Sequence, residues 1–280
     1  MFMLIIWLQG IWLPLHGYDY ADTPLRAGIC MLPLTLGMLI AGPTSGFLSD
    51  RYGARPFATG GMLGAALSFV LLILLPIDFS YPTFAFVLFL SGVSMGLFAS
   101  PNRAAVMNSL PPQDRGAGGG MNQTFQNSAQ VLSVGIFFTL MILGLAASLP
   151  STLTAGLQAH GVSAAAAKGV AGTPPVSILF AAFLGYNPIE HLLGAHVLAG
   201  LSPAGRAALT GRTFFPHLIS GPFSNGLHEA FTFAIIACLA AAAASLMRGG
   251  RFRYGEGTPP PDAAEPEQHE PQETGARAPA

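Results

Sequence analysis

Gly46-Phe47-Leu48-Ser49-Asp50-Arg51-Tyr52-Gly53-Ala54-Arg55-Pro56 is the stretch on which the fold turns. It sets one acid and two arginines between two long apolar runs. Residues 28–48 ahead of it carry no ionisable side chain except the Cys30 thiol, and residues 57–77 behind it carry none. Two runs of bilayer length joined by a short, basic, glycine-containing turn make a pair of membrane spans with the turn on the cytoplasmic side.

The rest of the 280-residue chain has the same character. Only 9% of its residues are charged and 51% are apolar, with a mean hydropathy of +0.53. A typical soluble domain is about 25% charged. The net charge of −1 points to neither nucleic acid nor acidic partners. Cys30 and Cys238 both fall in apolar runs and read as buried thiols outside any disulfide framework.

Working outward gives an all-α integral membrane protein, a six-span helical bundle. The spans are expected at about 1–15, 28–48, 57–77, 81–99, 121–147 and 227–247. An outer segment, 148–226, holds short surface helices, one opening at Ser202-Pro203. A disordered cytoplasmic tail, 248–280, is rich in Pro and Glu. The first span is short: fifteen helical residues cover about 22 Å of a core roughly 30 Å thick, so the chain reads as truncated at its N-terminus. Eight of the twelve basic residues fall on the side of the Gly46–Pro56 turn, which places both termini in the cytoplasm and the protein in the plasma membrane.

Small residues recur at four-residue spacing, as Gly42-x-x-x-Gly46 and Gly92-x-x-x-Gly96, with Gly60, Gly61, Gly64 and Ala65 between them. Such faces let helix backbones approach closely. The fifth span opens with amides, and Gln123, Asn127 and Gln130 share one of its faces. Amides inside a span are costly unless they meet protein, water or substrate, so these three are candidates for a cavity lining. Trp7 and Gln9, with Trp12 nearby, are a second candidate set, and interface-anchoring tryptophans are the competing reading. No span carries an acid near its middle, and Glu229 falls at an outer end. His and Glu spacings support no metal site, no cofactor motif is present, and no acid pair or Ser/His constellation suggests an enzyme.

The Gly46–Pro56 stretch resembles the loop signature of the major facilitator superfamily at Gly46, Leu48, Asp50, Arg51, Gly53 and Arg55. Trp7-Leu8-Gln9-Gly10, Arg26-Ala27-Gly28-Ile29, Met31-Leu32-Pro33, Pro101-Asn102 and Arg115-Gly116 resemble the C-terminal half of the bacterial fourteen-helix drug:proton antiporters. The long outer loop before the last span is similar too. That resemblance runs from Met1 to Met247. It implies half of a major facilitator fold and a multidrug efflux function. The implied mechanism is proton-coupled alternating access for apolar or amphipathic small molecules. In it, Gly46, Asp50, Arg51, Gly53 and Arg55 form a conformational latch. The implied partners are the lipid bilayer, the substrate, protons, and a missing N-terminal bundle or a homo-oligomer partner. The alternative is a non-transporting remnant or a regulatory half-transporter that packs against another membrane bundle.

Overall fold

The computed structural model describes residues 2–247, and every regular element among them is helical. The tail expected at 248–280 lies outside the described residues. Ten helices follow in order: α1 Phe2–Leu15, α2 Thr23–Tyr52, α3 Ala54–Leu74, α4 Tyr81–Asn108, α5 Arg115–Ala159, α6 Ala164–Ala171, α7 Pro175–Leu184, α8 Ile189–Ala199, α9 Pro203–Thr210 and α10 Phe214–Met247. The α2 helix is interrupted for one residue at Met31, just ahead of Pro33. Five helices (α2, α3, α4, α5 and α10) are long and apolar enough to cross a membrane. The bent pair α6–α7, which turns by 81°, would be a sixth if it counted as one span, and α1 is apolar but shorter.

Helix ends sit where local chemistry stops or starts them. Gly53 takes φ 91°, a conformation that costs a β-carbon residue, and its N–H bonds back to the Ser49 carbonyl at 2.8 Å. Ser202 caps α9 through its hydroxyl, which accepts from the Gly205 N–H at 3.1 Å, with Pro203 next in the helix.

Packing follows a chain of neighbours that differs from sequence order: α2 on α4, α4 on α3, α3 on α10 and α10 on α5. The α2 and α3 helices, joined by the tight turn, touch little because α4 packs against both. The small-residue faces make this possible. A β-carbon on Gly92 would collide with the Leu34 carbonyl oxygen, and one on Gly96 would lie 2.8 Å from the Ala41 β-carbon. Ser45 seals the seam by donating its hydroxyl to the Gly96 carbonyl at 3.0 Å. The contact face of α2 is therefore Leu34, Gly37, Ala41, Ser45 and Ser49, all buried. Of the expected Gly42–Gly46 face, Gly46 meets α4 at Ser100, whereas Gly42 has open space beyond its Cα. On α3, Gly61 and Gly64 meet Ser94 of α4, whereas Gly60 is open.

The antiparallel pair α3–α10 supplies a ruler along the bundle. Thr59 donates to Ser245 at 3.0 Å near the Gly53 end, Phe69 meets Phe231 midway, and the His228 ring nitrogen lies 3.2 Å from the Ile73 carbonyl at the opposite end. That opposite end also holds Phe79 and the loop of residues 75–80, and is called the Phe79 end below. Glu229 stands at the level of the last turn of α3, as its position in the sequence suggests.

Beyond that level α10 continues back to Phe214 and α5 onward to Ala159. The 45 residues of α5 extend about 68 Å, more than twice a hydrocarbon core. Its final turns bury Leu149, Leu153 and Leu157 at four-residue spacing among the short helices of the outer segment. Gly144 packs directly on Gly226, where an added β-carbon would stand 2.6 Å from the facing Cα.

Candidate functional site

The Gly46–Pro56 turn stands at the exposed Gly53 end. Gly46 meets α4 closely, because a β-carbon there would lie 2.9 Å from the Ser100 hydroxyl oxygen. Asp50, Arg51 and Arg55 are all exposed. Arg51 lies in the last turn of α2 with its guanidinium 5.7 Å from the Tyr52 ring centre. Among the described residues Asp50 and Arg55 form no ion pair. Asp50 belongs to the last turn of α2, where the helix dipole disfavours a carboxylate, and α3 begins four residues later.

The Trp7 and Gln9 set lies in the interior. Trp7 is 3% exposed and packs edge-on against Phe79 and Phe84, with ring centres 5.0 and 6.0 Å away. Trp12 stacks on Phe79 at 5.1 Å and donates its indole N–H to the Phe79 carbonyl at 3.0 Å. Both rings are thus core residues at the Phe79 end, which answers the question of interface anchoring. Gln9 lies between them in a five-residue π turn, Leu8–Trp12, and is 8% exposed.

The amide face of α5 is at the other end. Gln123 donates to Asn127 at 2.9 Å, and Gln123, Asn127 and Gln130 are all exposed. So are the apolar side chains around them, Met121, Phe125, Val131 and Leu132. The first half of α5 leans on nothing comparable to the α10 seam further along. Phe2 marks where α1 meets α5, by contact with Phe138. From that contact α1 climbs toward Phe79, while Gln130 lies eight residues, about 12 Å, in the opposite direction. The structure therefore separates Gln9 from the three amides of α5.

A polar clasp at the Phe79 end escaped sequence reasoning. Asp19 forms an ion pair with Arg212, and the Tyr20 hydroxyl donates to the Arg212 carbonyl at 2.9 Å. His16 stands 3.4 Å from Asp78, and Arg26 lies 4.3 Å from the Tyr18 ring centre. Asn187 braces the other side by donating to the Leu209 and Gly211 carbonyls at 2.8 and 3.2 Å. Burial pushes the Tyr20 hydroxyl up to about 12, against the opposing pull of Arg212. The partners lie up to 193 residues apart, a separation with no local signal.

Residues 1–134 match the family model described as the Major Facilitator Superfamily. The riboflavin transporter RibZ of Clostridioides difficile is 31% identical over 115 residues, which is 41% of this chain and 25% of that protein. The methyl viologen resistance protein SmvA of Salmonella typhimurium is 31% identical over 148 residues, 52% of this chain and 29% of its own length. An uncharacterized MFS-type transporter of Bacillus subtilis, YhcA, is 31% identical over 140 residues, 50% of this chain and 25% of that protein. The chain thus spans roughly a quarter of the length of the curated relatives it matches. No solved structure matches it. The membrane helices α1–α4 and the start of α5, with the Gly53 turn among them, are therefore similar to transporters of the major facilitator superfamily.

Proposed function

We propose that this chain is one bundle of a secondary transporter that exports apolar or amphipathic small molecules across the bacterial plasma membrane by alternating access. The observation that carries the reading is the Gly53 turn. Its Asp50 and Arg55 stand exposed without ion pairs among the described residues, at the end of a family-matched helix pair. An acid and a base left open at a bundle end fit a latch that closes on a second bundle in one conformation only. The uncovered first half of α5, apolar with an amide stripe, supports the same partnership. Gln123, Asn127 and Gln130 face the shared path in this reading, and the site lies near the midplane between bundles.

Proton coupling belongs to this proposal, with the titratable group of the path supplied by the second bundle. Among the described residues the acids of this chain lie in loops and at bundle ends. Both termini face the cytoplasm, following the distribution of basic residues. The names of the relatives suggest riboflavin and methyl viologen as first substrates to try.

The test is uptake into everted membrane vesicles, with the chain alone and with its coding frame extended upstream. Proton-gradient-dependent uptake of either compound by the extended form supports the reading. Uptake by neither form favours the second reading, a non-transporting half that packs on another membrane bundle through the open face of α5.

A further inference from the structure

Between the last turns of α5 and the helix α6 lies an open groove of about 550 Å³. Small-molecule sites run from about 300 to 1,000 Å³. Ser151, Thr154, Ala155 and Gln158 line it from α5, and Lys168 and Gly172 from α6 and its C-cap. Its charge is one-sided. Lys168 is the only ionisable residue of the lining, and among the described residues it makes no hydrogen bond or ion pair. Glu190 is the only acid between positions 148 and 226, and it does not pair with Lys168. The Gln158 amide has no side-chain hydrogen bond among the described residues either. The hydroxyls of Ser151 and Thr154 donate to the Ser148 and Pro150 carbonyls at 2.9 and 2.8 Å, which leaves their oxygens as acceptors. The groove thus presents a cation and an amide donor beside two hydroxyl acceptors. That set complements a phosphate diester anion that itself carries hydroxyl groups.

The position of the groove favours a lipid. Leu143 and Ala147 are exposed on α5 below it and stand at four-residue spacing with Ser151. Leu143 lies about 140° around the helix from Phe138, where α1 packs. An apolar stripe turned away from α1 therefore runs up into the groove. The height agrees. The His228 ring on α10 stands beside the Ile73 carbonyl near the end of α3, and Asn225, one turn further out, donates to Ser148 at 3.2 Å. Ser151 is a further turn beyond, about 9 Å past Ile73 along the axis. The charge-free run that opens at Phe57 continues to Ile77. Headgroups add about 5–7 Å to each side of a hydrocarbon core, so the floor of the groove meets the headgroup layer.

The geometry points to this groove as a binding site for an anionic phospholipid of the phosphatidylglycerol kind, in the leaflet at the Phe79 end. Lys168 and Gln158 hold the phosphate, and the Ser151 and Thr154 oxygens accept from the headgroup hydroxyls. The acyl chains descend along Ala147 and Leu143. A zwitterionic lipid would set a second cation beside Lys168 with no acid to receive it. The site is independent of the transport reading and lies beyond the family-matched residues 1–134.

The test is photo-crosslinking of the 280-residue chain in zwitterionic vesicles. Phosphatidylglycerol and phosphatidylcholine with the same diazirine-bearing acyl chains are added separately, and adducts are mapped by peptide mass spectrometry over residues 143–172. Phosphatidylglycerol is expected to label that segment about fivefold more than phosphatidylcholine, the ordinary worth of one basic side chain at an anionic lipid surface. Lys168→Gln should bring the ratio to about one and Lys168→Arg should keep it, with labelling near Arg51 and Arg55 unchanged in both. If Lys168→Gln fails to accumulate, Ala155→Trp, which fills the groove and spares Lys168, must lower the ratio. Equal labelling of the wild type by the two lipids, or a ratio that survives Lys168→Gln, overturns the inference. Glycerol 1-phosphate at about 1 mM, an anion without acyl chains, should not displace the lipid. Displacement would assign the groove to a soluble anion and reject the lipid.

Discussion

The two ends of this bundle are built on opposite plans. At the Phe79 end, α1 is buried on all sides, Trp12 is bonded to a loop carbonyl, and Asp19, Tyr20 and Arg212 tie the first loop to the outer segment. At the Gly53 end the charges of the turn are exposed and the first half of α5 is uncovered. Intramolecular contacts tie one end together, whereas at the other Asp50 and Arg55 stand exposed with no ion pair among the described residues. In a transporter reading the first end holds its shape while the second exchanges partners.

The largest expected effect concerns the seam that both ends share. Gly92→Leu drives a side chain into the Leu34 carbonyl, and overpacking of this kind typically costs about 1–3 kcal/mol or more. The variant should lose most of its folded, membrane-inserted population, measured by detergent-solubilised size-exclusion profiles. Gly60→Leu, which meets open space, should not.

Next comes the rigid end. Trp12→Phe keeps the stacking on Phe79 and removes the donor to its carbonyl, which should cost about 1–3 kcal/mol and lower the thermal midpoint in detergent. An unchanged midpoint would erase the contrast between the ends.

The open end should respond in function and not in stability. Asp50→Asn is expected to cut vesicle uptake by the upstream-extended chain about tenfold, equivalent to about 1.4 kcal/mol, at unchanged membrane abundance. Normal uptake would return the turn to the status of a topology signal.

The smallest effect sharpens the clasp. Folded, the Tyr20 phenol keeps its proton to about pH 12, whereas released from the clasp it ionises near its ordinary value of 10.0. The stabilisation it contributes is complete below pH 10 and is lost as pH rises from 10 to 12. Proteolysis across residues 185–213 should accelerate over that window in the wild type. Tyr20→Phe should remove this pH step.

Much of this architecture was legible in residue order. Charge-poor runs of bilayer length set the long helices, Gly53 set the turn, and Ser202-Pro203 set the start of α9, because each rests on hydropathy, dihedral freedom or capping within a few residues. Helix ends were less legible. The α5 and α10 helices run past their expected limits because α-helical hydrogen bonding continues outside a membrane wherever packing supports it, as Leu149, Leu153 and Leu157 do.

What only the tertiary structure decided was partnership. That α4 and not α3 receives α2, that the packing face of α2 is Gly37–Ala41–Ser45, and that Trp7 and Trp12 are core residues all depend on which surfaces meet. Four-residue spacing leaves several equivalent faces of one helix open, and contact chooses among them. The same holds for Asp19 and Arg212. Their pairing is a product of the folded chain, since 193 positions separate them and no local pattern links the two.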